Sequence, residues 1–202
     1  MAQTIAKYLK TQFILNLAMH ISWILVFLIS AILNFRIGAI PWGVLPLVCM
    51  SLVVASLAFT IVTYIRRRVL AFHNLFRIFP EIAIAISLGF SFISGVPAGF
   101  SFYLFIDLVA FICLTISIII SLVSRAGGPS RTARVFKWIA FLLLIAEAVK
   151  NLVEFIVVYA PELAQAKPCD PVYFYLAYAA LYLLAVTFFI ACRLQRRRIV
   201  DE

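Results

Sequence analysis

Residues 137–160 read KWIAFLLLIAEAVKNLVEFIVVYA, a run long and apolar enough to cross a bilayer that nevertheless carries Glu147, Lys150, Asn151 and Glu154. Their spacing is i, i+3, i+4 and i+7, so on an α-helix the four fall on one face. Leu143, Leu144, Ile145, Val149, Phe155 and Ile156 are expected mostly on the others. Each ionisable group near a bilayer centre costs about 3 kcal/mol on insertion scales, so such a stripe must face a helix bundle or a wet cavity rather than lipid.

Working outward, the whole chain has the same character. Its 202 residues are 66% hydrophobic and 12% charged, and the mean hydropathy is +1.14, which excludes an ordinary soluble core. Apolar runs use nearly all of the length, leaving a single transmembrane domain, 1–202. Its spans are expected at about 11–34, 43–65, 76–95, 100–124, 137–160 and 172–192. Lys7 and Lys10 precede a first run that is too long for a signal peptide and has no small-residue cleavage pattern, so it reads as an uncleaved span.

The basic residues set the orientation. Those at 7–10, 66–77, 125–137 and 193–198 fall on one side of a six-span arrangement, and only Arg36 and Lys167 fall on the other. The expected fold is therefore all-α, a multi-pass integral membrane protein of three helical hairpins with both termini cytoplasmic. Residues 80–95 are short for a span, and a re-entrant hairpin is the alternative there. The basic clusters border apolar runs, where anionic headgroups and orientation signals account for the net charge of +9, so nucleic acid is not an expected partner. The bilayer is, together with a membrane-protein partner or a second copy of the chain.

Smaller signals refine the picture. VLAFHNLF within 69–79 reads as a short interfacial helix that places His73 at the membrane surface. Pro80 and Glu81 suit the first turn of the next helix, where a carboxylate meets the positive end of the dipole. Ala83, Ser87, Ser91 and Gly95 recur every fourth residue, a helix-packing ladder, and Cys113, Ser117 and Ser121 form a second one on the next span, its natural mate. Cys192 beside a basic helix end is compatible with palmitoylation, although a small apolar residue in a helix contact explains it as well.

Four buried acids or bases are candidates for chemistry: Glu147, Glu154, Asp107 and His20. Asp107 and Lys150 lie roughly 13 and 15 Å below the outer ends of neighbouring spans and can pair. Glu147 lies near the level of His20. The charge cluster Asp107, Glu147, Lys150, Asn151 and Glu154 either lines a cavity that handles protons, an ion or the head of an amphipathic molecule, or neutralises itself and fixes helix register. No metal or cofactor is expected: HExxH, GxSxG, paired Asp-rich and Walker motifs are lacking, and the cysteines have no ligand spacing. The expected function is a non-enzymatic interaction or assembly component, or a route for small-solute passage. The alternative is a membrane-embedded isomerase- or cyclase-like enzyme on a lipid, sterol or terpenoid, with a buried Glu as general acid/base.

Overall fold

A computed structural model describes residues 2–66, 78–95, 102–123, 131–163, 165–167 and 170–200, and among them there is no strand. The helices are α1 (Ala2–Arg36), α2 (Ile40–Arg66), α3 (Phe79–Gly95), α4 (Phe102–Val123), α5 (Arg131–Glu154), α6 (Ala160–Leu163) and α7 (Pro171–Val200). A π-helical turn, Phe155–Tyr159, joins α5 to α6. The expected interfacial helix with His73, the turn after Gly95 and the 124–130 loop lie outside the described residues.

Local chemistry explains the first hairpin. α1 ends where Gly38 takes a left-handed φ of 73°, and the Ala39 N–H donates to the Asn34 carbonyl, closing the last turn. α2 starts two residues later with Pro41 in its first turn, where a missing N–H is harmless, and it keeps Pro46 inside.

The helices pack in a closed cycle. α1 packs on α2, α2 on α3, α3 on α4, α4 on α5, α5 on α7, and α7 returns to α1. Paired contacts show that neighbours are antiparallel: Phe13 stacks on Tyr64 and Trp42 meets Phe90. Gln12 bonds the Cys192 carbonyl at one end of the α1–α7 seam, while Arg36 caps the Phe174 ring at the other. Both ends of the described bundle, the start of α1 and the finish of α7, therefore lie together. The interior is one core in which Trp23, Phe27, Leu114, Phe141, Leu144 and Phe189 are almost wholly buried. Leu25, Leu142, Val149, Val153 and Leu184 point outward, an apolar exterior of the kind that suits a bilayer.

Four helices are long and apolar enough to cross a membrane: Lys10–Arg36, Trp42–Arg66, Leu104–Val123 and Pro171–Cys192. That is consistent with an integral membrane protein. α3 has 17 residues, about 26 Å at 1.5 Å per residue, and α5 carries six charges, at 131, 134, 137, 147, 150 and 154. For those reasons neither reaches that standard alone.

The expected faces of α3, α4 and α5 are met only in part. Leu144 and Phe155 do not point away from the polar stripe: Leu144 is buried with Ala140, Phe141 and Ala148 on the bundle-facing side of α5, and Phe155, in the π turn, is buried against Val172 and Ala179 of α7. The inward face is simply wider than the stripe. On α3, Ala83 is fully buried, Ser87 half-buried and Ser91 exposed. Ser91 of the ladder bonds Asp107 of α4, and a further close approach lies off the ladder at Gly89, where a β-carbon would stand 3.0 Å from the Phe111 ring. The second ladder meets α5 rather than its expected mate, since the buried Ser117 hydroxyl donates to the Ala133 carbonyl at 3.2 Å.

Candidate functional site

The polar stripe of α5 meets α4 and α7 towards the α1–α2 hairpin end. Asp107, one turn into α4, is 2% exposed, and its Oδ2 accepts a hydrogen bond from the Ser91 hydroxyl of α3 at 2.8 Å. Glu147 is 7% exposed. Its Oε1 accepts from Lys150 Nζ at 3.0 Å, a buried ion pair within one turn of α5. The expected Asp107–Lys150 contact is thus replaced: the direct ionic partner of Lys150 is Glu147, because an i, i+3 pair on one helix forms without any adjustment between helices. Asp107 remains within the electrostatic reach of both Lys150 and Glu147. Tyr178 and Tyr182 of α7 stand in the same field.

Beyond this cluster lies a cleft of about 250 Å³ between the end of α1, the end of α5 and the start of α7. Ser30 and Asn34 line it from α1, Asn151 and Glu154 from α5, Phe155 and Tyr159 from the π turn, and Tyr175 and Tyr178 from α7. The Ala160 N–H bonds the Phe155 carbonyl, an i to i−5 link that adds a residue to the turn and swings Tyr159 towards α7. There Tyr159 stacks on Tyr175 with centroids 4.2 Å apart. Glu154 is exposed, and the buried Nδ2 of Asn151 has no hydrogen-bond partner. The stripe is therefore divided by depth: Glu154 and Asn151 face the cleft, and Glu147 lies beneath it.

His20 is not part of this site. It is 2% exposed, its Nδ1 lies 2.6 Å from the Asn16 carbonyl, and its Nε2 lies 2.8 Å from Ser56 Oγ on α2. A carbonyl only accepts, so Nδ1 carries a proton, and in the neutral ring Nε2 accepts from the serine. α7 packs between α1 and α5, which separates His20 from Glu147.

A second ion pair escaped the sequence reading. Glu81 is 1% exposed and meets Lys137 Nζ at 2.8 Å, linking the first turn of α3 to α5. Its helix-start position is as expected, but its partner is a lysine and not only the helix dipole. The depths of the two residues, each at the basic end of its helix, carry the one signal that could have paired them. Cys192 is buried, like Cys49 and Cys113, so its thiol belongs to packing rather than to a lipid anchor. Cys169 lies outside the described residues. Among the described residues no three His, Cys, Asp or Glu side chains gather so as to hold a metal ion. No family model, curated protein or solved structure matches this chain, and its function is argued from this geometry alone.

Proposed function

We propose that the chain is a six-span integral membrane protein in which α3 and α5 cross together with the four longer helices. The start of α1 and the finish of α7 are on the cytoplasmic side, and the cleft opens on the opposite side. The antiparallel cycle supports this, because it places the basic residues near 10, 66, 131–137 and 193 at one end. α5, too charged to be stable in lipid alone, is accommodated because its stripe faces protein.

The function we propose is non-covalent recognition. The protein is an interaction or assembly component whose cleft receives the polar end of an amphipathic molecule or of a partner's membrane helix. The observation that carries this is the cleft itself: hydroxyls, amides, a carboxylate and stacked tyrosines converge on one concave space at the end of an otherwise apolar bundle. Passage of a solute needs a polar route to the other end, and below the cluster the interior is filled by Trp23, Phe27, Leu114, Phe141, Leu144 and Phe189. One feature speaks for the catalytic alternative, since Glu154 shares the cleft with three tyrosines. Acid–base chemistry on a lipid, sterol or terpenoid calls for an acid in a water-excluding cavity, however, whereas Glu154 is exposed and Glu147 is engaged by Lys150.

The test is a photoreactive phenylalanine analogue at position 175 in native membranes, with and without Ala179→Trp, which fills the cleft. A light-dependent adduct of discrete mass that disappears on filling is the expected result. No adduct, or one indifferent to filling, would sink the recognition reading.

A further inference from the structure

Two carboxylates and one ammonium leave a surplus negative charge inside the bundle, and the hydrogen bonds show where it is absorbed. Asp107 uses Oδ2 for Ser91, and Glu147 uses Oε1 for Lys150. The remaining oxygens, Asp107 Oδ1 and Glu147 Oε2, are both buried and without a partner among the hydrogen bonds. The two acids stand in each other's field across the α4–α5 packing. Two carboxylates are acceptors only and cannot bond; a carboxylic acid and a carboxylate can.

We propose that Asp107 and Glu147 form a buried proton-binding site, sharing one proton in a carboxyl–carboxylate hydrogen bond that joins α4 to α5. With the proton bound, the cluster of Asp107, Glu147 and Lys150 is neutral; without it, the net charge is −1 in a setting that cannot solvate it. Only an O–H bond forms, and the proton comes from water. Asn151 and Glu154 line the cleft one to two turns along α5, so the exchange route leads to the cleft end. The charged and titratable groups around the pair are Lys150 and Glu154 from α5 and Tyr178 and Tyr182 from α7, while α3 supplies the neutral Ser91 hydroxyl. From α1, His20 turns away to Ser56. The inference holds whether or not the cleft binds a partner.

The proposal makes an unusual demand on substitutions. Asp107→Asn keeps an acceptor for Ser91 and offers an N–H to Glu147. Glu147→Gln keeps an acceptor for Lys150 and offers an N–H to Asp107. Each mimics the bound proton, so each single variant should fold to wild-type yield; the wild type should lose thermal stability at alkaline pH, and each single variant should not. Asp107→Asn with Glu147→Gln strands the Lys150 charge and should fold poorly. Infrared spectra of the detergent-purified wild type at neutral pH should contain a protonated-carboxyl stretch that weakens in each single variant and persists in Glu81→Gln, which removes the other buried acid. A wild type without that band, a band unaffected by either single substitution, or failure of both single variants to fold would overturn the proposal.

Discussion

Lys150 is the cation that Glu147 and Asp107 both feel, so its removal leaves two acids facing each other. Stranding a buried charge costs about 3–5 kcal/mol, and because Lys150 Nζ belongs to a side chain one-fifth exposed, Lys150→Met is expected near 3. Adding Asp107→Asn and Glu147→Gln together removes both acids and should recover more than half of that loss; a triple mutant no better than the single would show that the cluster does not act as drawn. Melting curves in one detergent decide it. Ser56→Ala tests a different polar contact. It removes the partner of a fully buried imidazole nitrogen, and about 1–3 kcal/mol of stability should go with it. An unchanged melting temperature would mean that water or another group already satisfies His20. The cluster on α5 was legible as a stripe because helical spacing alone puts 147, 150, 151 and 154 together. The identity of each partner was not, since a choice between Glu147 and Asp107 for Lys150 depends on ångström distances that periodicity does not carry.

At the level of single helices, α3 is the shortest of the six that form the cycle, and it is held by three unlike contacts. Glu81 ties its start to Lys137, Gly89 admits the Phe111 ring, and Ser91 caps Asp107. Gly89→Leu overpacks the middle contact and should cost about 1–3 kcal/mol, whereas Ile93→Ala, on an outward side chain, should stay within about 0.5 kcal/mol in detergent. Equal losses in the two variants would show that α3 does not approach α4 through Gly89. Helix positions and most boundaries were readable from apolar runs: the expected 43–65 and 172–192 sit inside α2 and α7. The close approach at Gly89 was hidden because the ladder at 83, 87, 91 and 95 offered a more regular pattern on the same helix. The π turn was hidden too, as nothing in FIVVY distinguishes an i to i−5 bond from an ordinary one.

For the whole molecule, the proposed orientation rests on charge, and two labelled positions at opposite ends of the bundle test it. With Cys169 replaced by Ser, Gln165→Cys should react with a membrane-impermeant thiol reagent on intact cells and Thr132→Cys only after permeabilisation, both positions being exposed. Labelling of both from outside would refute an odd number of crossings between them, and the reverse pattern would refute the cytoplasmic placement of position 132. Which helices neighbour one another could not be read from a single chain, because six apolar helices admit many cyclic orders and only side-chain complementarity selects one. The order observed has a bearing on biosynthesis. α1 leaves the ribosome before the other five helices of the cycle, but one of its flanks is covered by α7, the last of the six to be made. Until then Gln12 and Trp23 lack the Cys192 carbonyl and the Tyr182 ring that they meet in the finished bundle. A nascent chain interrupted before residue 171 therefore presents an unsealed seam and half a cleft to the lipid, the kind of surface that membrane chaperones retain and quality-control proteases recognise.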